Sequence, residues 1–362
     1  MQILRFALND GLSTSVFHPI SRFAKESNVR SAVHICLGMV LACAELTIAA
    51  RAQEVPTGNP QDFKLKTCLH SVSYAGVWRG QATLSVDDFL LKAKQLGYDS
   101  VELMAKRPHL SPVDYDDAGR QRLRARIDQL GLKLVALAAY TDFTAGMDKP
   151  GIPQVEIQAA YLGEVARLGR DLGTNMVRVF TGYERPGIPY DQQYATVVAG
   201  LRLAGQEAAR YGVTLAVQNH HDIAVSPEGM YWLLNEVNQP NVKLAWDAWS
   251  PTVLGLTPEQ IRQSVLKLKP FIVHTTAAQY ISVQRYRYLP DLVQYMKTEP
   301  ESLEVPMGPG IIDYDSFFSS LKEIGYRGYV AYEICAVTEG GGSIENLDRT
   351  ARQFLEYMKK FQ

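Results

Sequence analysis

From residue 63 onward the chain alternates short apolar or β-branched runs with longer stretches of helical periodicity, and it does so eight times. The apolar runs fall at 65–70, 100–104, 133–138, 176–180, 214–218, 242–246, 271–274 and 328–333. Each is nearly continuous in apolar residues, as a strand covered on both faces must be. Between them, Phe89, Leu90, Ala93 and Leu96 share one helical face, with Lys92, Lys94 and Gln95 on the other. The last stretch carries Ile344, Leu347, Ala351, Phe354, Leu355, Met358 and Phe361 on one stripe. Several stretches stop at a glycine just before the next strand, at Gly97, Gly131, Gly173, Gly212 and Gly325, where a left-handed residue ends a helix. A unit of helix, glycine and strand recurring every about 30–40 residues is βα repetition. Eight units predict an α/β fold closed as a (β/α)8 TIM barrel, not an open doubly wound sheet. No Gly-x-Gly-x-x-Gly follows the first strand, so a dinucleotide fold would lack its phosphate loop.

The first fifty residues do not fit this pattern. Arg22, Lys25 and Arg30 precede a mostly apolar stretch over 31–50, which ends in Ala50-Arg51-Ala52, the small-x-small pattern expected before a signal-peptidase cut. The expected organisation is an export segment over 1–52, a flexible polar, Pro/Gly-containing N-terminus over 53–62, and the barrel over 63–362. A membrane anchor and a misassigned start are the competing readings; His34 and Glu45 interrupt the apolar run and weaken the anchor. A lipoprotein with Cys43 modified fits the residues around it poorly. The expectation is a periplasmic or secreted protein with no stable membrane association once the segment is removed. Cys36 and Cys43 would leave with it, and Cys68 and Cys335 would stand on neighbouring strands, either as two unpaired buried thiols, the leading reading, or bonded to each other. The formal net charge of -1 gives no electrostatic case for a nucleic-acid partner.

Barrel enzymes place their chemistry at the carboxyl ends of the strands. Polar residues interrupt the apolar runs there on four successive strands: Gln218-Asn219-His220-His221-Asp222 on the fifth, Trp246-Asp247-Ala248-Trp249 on the sixth, His274 on the seventh and Glu333 on the eighth. Oxygen and nitrogen donors of this mixture suit a divalent cation such as Mn²⁺, Co²⁺, Mg²⁺ or Zn²⁺. Such an ion would polarise a sugar carbonyl while a nearby carboxylate moves a proton at carbon. Each residue taken singly has a plainer reading, the histidine as a hydrogen-bonded structural group and the aspartate as a helix cap. Around the same rim, His70, Glu102, Lys106, His109, Tyr140, Tyr183 and Trp249 suit stacking on a sugar ring and reading its hydroxyls, with His109 and Trp249 the foremost. Glu102 reads equally as a buried residue paired to a neighbouring strand.

Those strand-end residues, with Gly308-Pro309-Gly310-Ile311-Ile312-Asp313-Tyr314, resemble the sugar phosphate isomerase/epimerase family of xylose isomerase-like barrels, over residues 64–362. The resemblance implies Gln218, Asp247, His274 and Glu333 as metal ligands, Glu333 and His220 as the proton-handling residues, and Asn219 and His220 on substrate. It also implies an arginine on substrate, Arg285 or Arg287. Two departures stand out. The family's strand-five glutamate is Gln218 here, and its Asp-x-x-His is Asp247-Ala248-Trp249-Ser250. Losing one carboxylate argues against epimerisation by two opposed bases and leaves one-base isomerisation. The leading expectation is therefore a metal-dependent isomerase/epimerase-like enzyme on an unphosphorylated sugar, keto-sugar or polyol. A lyase or hydrolase of 3-keto-glycosides on the same scaffold and a catalytically silent sugar-binding barrel are the alternatives. The 282–306 segment, with Arg285, Tyr286, Arg287 and Tyr288, would cover the site or join two copies into a homo-oligomer.

Overall fold

The computed structural model describes residues 64–149 and 151–362; the export segment and polar N-terminus read from the sequence lie outside the described residues. The barrel strands are β1 (Lys66–His70), β2 (Ser100–Met104), β3 (Lys133–Ala138), β4 (Met176–Val179), β5 (Thr214–Gln218), β6 (Val242–Ala245), β7 (Ile272–Ala277) and β8 (Tyr329–Tyr332). They close in parallel, β8 lying between β1 and β7, with Lys66 opposite Tyr329 at the seam. Every expected strand is present, and the bounds differ from those read in the sequence by at most three residues.

The connecting helices are α1 (Val86–Leu96), α2 (Asp117–Gln129), α3 (Gln154–Leu172), α4 (Tyr190–Ala209), α5 (Pro227–Val237), α6 (Pro258–Leu268), α7 (Tyr314–Glu323) and α8 (Ile344–Met358), with a five-residue helix, Trp249–Val253, after β6. Helix starts are fixed by side-chain caps from Ser85, Asp116, Ser226, Thr257, Asp313 and Ser343. At the other ends Gly97 and Gly173 take φ of 96° and 89°, a left-handed conformation that glycine adopts without Cβ strain. The main core lies between strands and helices. Val101 and Leu103 of β2, Val177 and Val179 of β4 and Leu215 and Val217 of β5 are fully buried in it against residues such as Phe89, Leu162 and Leu201. Because side chains alternate along a strand, the residues between these apolar pairs, Glu102, Arg178 and Ala216, face the inside of the barrel.

Between β7 and α7 the chain leaves the barrel as an arm of two antiparallel ladders, Gln279–Val283 with Glu301–Val305 and Tyr286–Leu289 with Gln294–Lys297. The glycine run beyond it is an anchor. Gly310 sits where a Cβ would come 2.3 Å from Gln279, Asp313 caps α7, and the Tyr314 hydroxyl donates to the carbonyl of Ala278 at 2.9 Å. Among the described residues no helix is long and apolar enough to cross a membrane.

Helix α4 closes on the loop after β3 through Gly200, where an added Cβ would stand 2.3 Å from the Phe143 ring. Phe143 is fully buried and has nowhere to retreat. Gly200→Ala is expected to cost about 1–3 kcal/mol by overpacking, read as a lower urea midpoint with an unchanged slope.

Candidate functional site

Strand β4 reads Met176-Val177-Arg178-Val179, and its arginine is 2% exposed at the centre of the barrel. Burying a guanidinium demands compensating partners, and three other strands supply acceptors for it. Arg178 Nε donates to Glu102 Oε1 on β2 at 2.8 Å, and Nη1 donates to Gln218 Oε1 on β5. Nη2 lies 2.7 Å from His70 Nε2 on β1 and 3.5 Å from Glu333 Oε2 just past β8. Glu102 also meets His274 Nε2 at 2.7 Å. Burial would raise the Glu102 carboxyl, but Arg178, His274 and His70 outweigh it and hold it well below the usual carboxylate range.

Gln218 uses both ends of its amide. Its oxygen accepts from Arg178 while its nitrogen donates to Asp247 Oδ2 at 2.6 Å and to Thr276 Oγ1 at 3.0 Å. Asp247 Oδ1 accepts the backbone N–H groups of Trp249 and Ser250, so this aspartate also caps the short helix after β6. Burial pushes the Asp247 carboxyl up to about 6, against the pull of Gln218 and those amides. Burial likewise raises Glu333 to about 7; Arg178 and a hydrogen bond from Thr276 oppose the shift, while Glu102 and Asp247 add to it. The hollow thus holds one permanent cation, one firmly ionised carboxylate and two carboxyls poised near neutrality.

Several expected roles are not the ones the geometry gives. His109 is buried beneath the rim, with Nδ1 on the Ser71 hydroxyl at 2.9 Å and Nε2 on the Leu84 carbonyl at 3.1 Å, so both nitrogens serve the fold and neither faces a substrate. Asn219 spends its amide on the backbone of Asp247, accepting its N–H at 2.9 Å and donating to its carbonyl at 3.1 Å, which locks β5 to β6. Arg285 pairs with Glu301 at 2.7 Å on the exposed arm, and Arg287 stands exposed on the adjacent ladder. Cys68 and Cys335 are free thiols, the latter 2.8 Å from the Tyr280 hydroxyl.

Aromatic rings line up beside the carboxyls. His220 stacks on Trp249 with ring centroids 5.0 Å apart and lies 5.4 Å from Phe180, which in turn neighbours Tyr140 at 5.7 Å. Burial lowers His220 to about 4, His221 and Arg178 adding to the effect, so its ring is neutral at pH 7. Lys106 lies 3.7 Å over the Tyr140 ring, and Arg185 pairs with Asp142.

The donor set does not fit the divalent cation that the family resemblance implies. The Gln218 oxygen is turned to Arg178, His274 Nε2 is turned to Glu102, and a permanently charged guanidinium lies among the remaining oxygens. His274 Nδ1 is buried without a partner, one donor where a ligand set needs several. Among the described residues no three His, Cys, Asp or Glu side chains are gathered as a metal would require. Arg178 is the central residue of this cluster that the strand-end pattern misses. Its signal was a charged residue inside an otherwise apolar run, in a position where an arginine is almost never buried unpaired.

A family model described as xylose isomerase-like TIM barrel matches residues 90–361. An L-ribulose 3-epimerase from Methylomonas sp. (strain DH-1) is 24% identical over 268 residues, covering 73% of this chain and 82% of its own length. A putative L-ribulose-5-phosphate 3-epimerase from Escherichia coli (strain K12) is 25% identical over 259 residues, covering 69% and 84%. Among solved structures, the D-allulose 3-epimerase from Methylomonas sp. in complex with D-allulose superposes with a TM-score of 0.61 at 20% identity, covering 83% of this chain and 98% of that one. The 3-keto-D-glucoside 4-epimerase of E. coli superposes with a TM-score of 0.59 at 15% identity, covering 82% and 100%. The superpositions establish the fold, and the relatives found by sequence bear the names of sugar epimerases.

The partners of His109 make a direct prediction. His109→Ala takes one partner from the buried Ser71 hydroxyl, which keeps only the N–H of Met104, and one from the part-buried Leu84 carbonyl, so it is expected to cost about 1–3 kcal/mol of stability. Chemical denaturation reads this, and sugar affinity of the folded variant is expected to stay unchanged.

Proposed function

We propose, for a chain that belongs to the xylose isomerase-like TIM-barrel family, an isomerase/epimerase-like enzyme that moves a proton at the carbon beside the carbonyl of an unphosphorylated sugar or keto-sugar. The observation that carries this reading is Glu333, a buried carboxyl poised near neutrality at the end of β8, 3.5 Å from Arg178. A general base works best when its pKa lies near the working pH and its conjugate acid can return the proton. The aromatic rim of Tyr140, Phe180, His220 and Trp249 offers faces for the apolar side of a sugar ring. Lys106 and Arg185 are engaged with Tyr140 and Asp142, which favours a neutral substrate over a phosphorylated one.

Glu333 alone handles the proton at carbon. Gln218, at the place where the resemblance expects a second carboxylate, is an amide and carries no proton to exchange, so the chemistry is one-base. Glu333 takes the proton from one carbon and returns it on the same face to the neighbouring carbon, while the proton of that neighbour's hydroxyl passes to the former carbonyl oxygen. The same observation favours a second reading, a lyase acting on 3-keto-glycosides, because elimination beside a carbonyl also needs only one base. Each would show itself in D₂O. An isomerase-like enzyme exchanges the proton of a ketose such as D-allulose or D-fructose, whereas a lyase releases the aglycone from a 3-keto-glucoside.

Glu333→Gln is expected to lower exchange or elimination by about 10²–10⁴-fold with the fold intact. Ligand binding with no exchange or release from any sugar tested, in the wild-type chain, would instead support the silent binding barrel. The pH dependence has a definite sign. Only ionised Glu333 accepts a proton, so the rate is expected to rise as pH increases through about 7 and then level off. A rate that falls over that interval would assign Glu333 the role of an acid.

A further inference from the structure

At the centre of the site the buried cation has more donors than the lone pairs around it can take. His70 Nδ1 accepts the backbone N–H of Val72 at 2.8 Å, so the neutral ring carries its proton on Nε2, which lies 3.5 Å from Glu102 Oε1. Arg178 Nη2 therefore finds no lone pair on His70, although the two nitrogens are 2.7 Å apart. Of its five N–H bonds, one goes to Glu102 and one to Gln218, and Glu333 stands at a long 3.5 Å. The terminal edge of the guanidinium keeps donors in hand beside the carboxyl that handles the proton.

Gln218 points the same way. A glutamate in its place would set a carboxylate oxygen 2.6 Å from Asp247 Oδ2, a repulsion that a bridging divalent cation relieves. The amide needs no such ion, because its nitrogen donates to Asp247 and its oxygen accepts from Arg178. In charge, glutamine for glutamate and a buried arginine each add one positive unit, and together they equal one divalent cation.

We propose that Arg178 takes the place of the metal ion: the chain binds no divalent cation at this site, and the guanidinium is the fixed positive charge that receives the substrate's carbonyl oxygen. The second half of this proposal rests on the proton transfer assigned to Glu333; the first half does not. As Glu333 takes the proton, the C–H electron pair forms the carbon–carbon double bond of an enolate, and the carbonyl pair moves onto oxygen. Nη1 and Nη2 of Arg178, a residue only 2% exposed, donate to that oxygen. An arginine holds its charge at every working pH, so the electrophile needs no loading step.

Equilibrium dialysis against Mn²⁺ followed by elemental analysis tests the first half without any substrate. Wild-type chain is expected to retain no stoichiometric ion, and Arg178→Ala/Gln218→Glu is expected to gain one Mn²⁺ per chain, visible as quenching of the free Mn²⁺ EPR signal. Retention of one Mn²⁺ by the wild-type chain, lost in Asp247→Ala, overturns the proposal. If the double variant does not fold, the wild-type measurement decides alone. For the second half, exchange is expected to survive a strong chelator and to fall at least about a hundredfold in Arg178→Lys, which keeps the charge and loses the fork. Exchange abolished by the chelator and restored by Mn²⁺ overturns it. Absence of turnover on every sugar, with no metal retained, would sink the proposed reaction and leave the metal-free site standing.

Discussion

The interior of this barrel is organised around one buried positive charge. Moving a guanidinium out of water costs several kcal/mol even after relaxation, and only well-placed partners return it. Glu102 provides the compensating charge at 2.8 Å, Gln218 a neutral acceptor, and Glu333 a more distant carboxyl. The remaining polar groups follow from these. His274 is oriented by Glu102, Asp247 by the far end of the Gln218 amide, and Thr276 by both Gln218 and Glu333. Removing Arg178 would leave Glu102 ionised in a dry interior, so the fold and the site share a single electrostatic anchor.

That anchor also divides the carboxyls by task. Three of them share a hollow with one permanent cation. Glu102, in direct contact with the guanidinium and His274, keeps its negative charge. Asp247 and Glu333, farther from the cation and near each other, are pushed upward by burial. Asp247 spends its oxygens on backbone amides and Gln218, whereas Glu333 is the carboxyl with unspent acceptor capacity. The division comes from distances to Arg178 and hydrogen-bond saturation, not from residue type, since all three are ordinary carboxylic acids.

Most of the fold was legible because strand and helix periodicities are local. Alternating apolar runs and terminal glycines announce each βα unit, and eight units leave few closures other than a barrel. Site residues were legible only as positions. Gln218, Asp247 and Glu333 converge as expected, while His109 and Asn219 turn inward to Ser71, Leu84 and the Asp247 backbone. Nothing local distinguishes a strand-end polar residue that faces the hollow from one that stitches two loops together. The difference lies in partners 25 to 38 residues away along the chain. The arm arginines are a related case: Arg285 pairs with Glu301 within the insertion, and Glu301 also meets Arg79 of the loop after β1.

If Arg178 replaces the metal ion as proposed, a ligand pattern carried from relatives names the right places and the wrong chemistry. Read alone, Gln218 looks like a damaged ligand, a carboxylate that lost its charge. Read alone, Arg178 looks like an isolated charge in an apolar strand. Only the contact between Nη1 and the Gln218 oxygen joins them. Either residue by itself would unbalance the site: the glutamine by leaving a metal underbound, the arginine by crowding a metal with a like charge. Together they balance Asp247 and Glu333 as a glutamate with a divalent ion would, and Gln218 gives Asp247 a donor. A pair of this kind, forty residues apart on adjacent strands, is coupled by electrostatics alone, and neither member carries the information without the other.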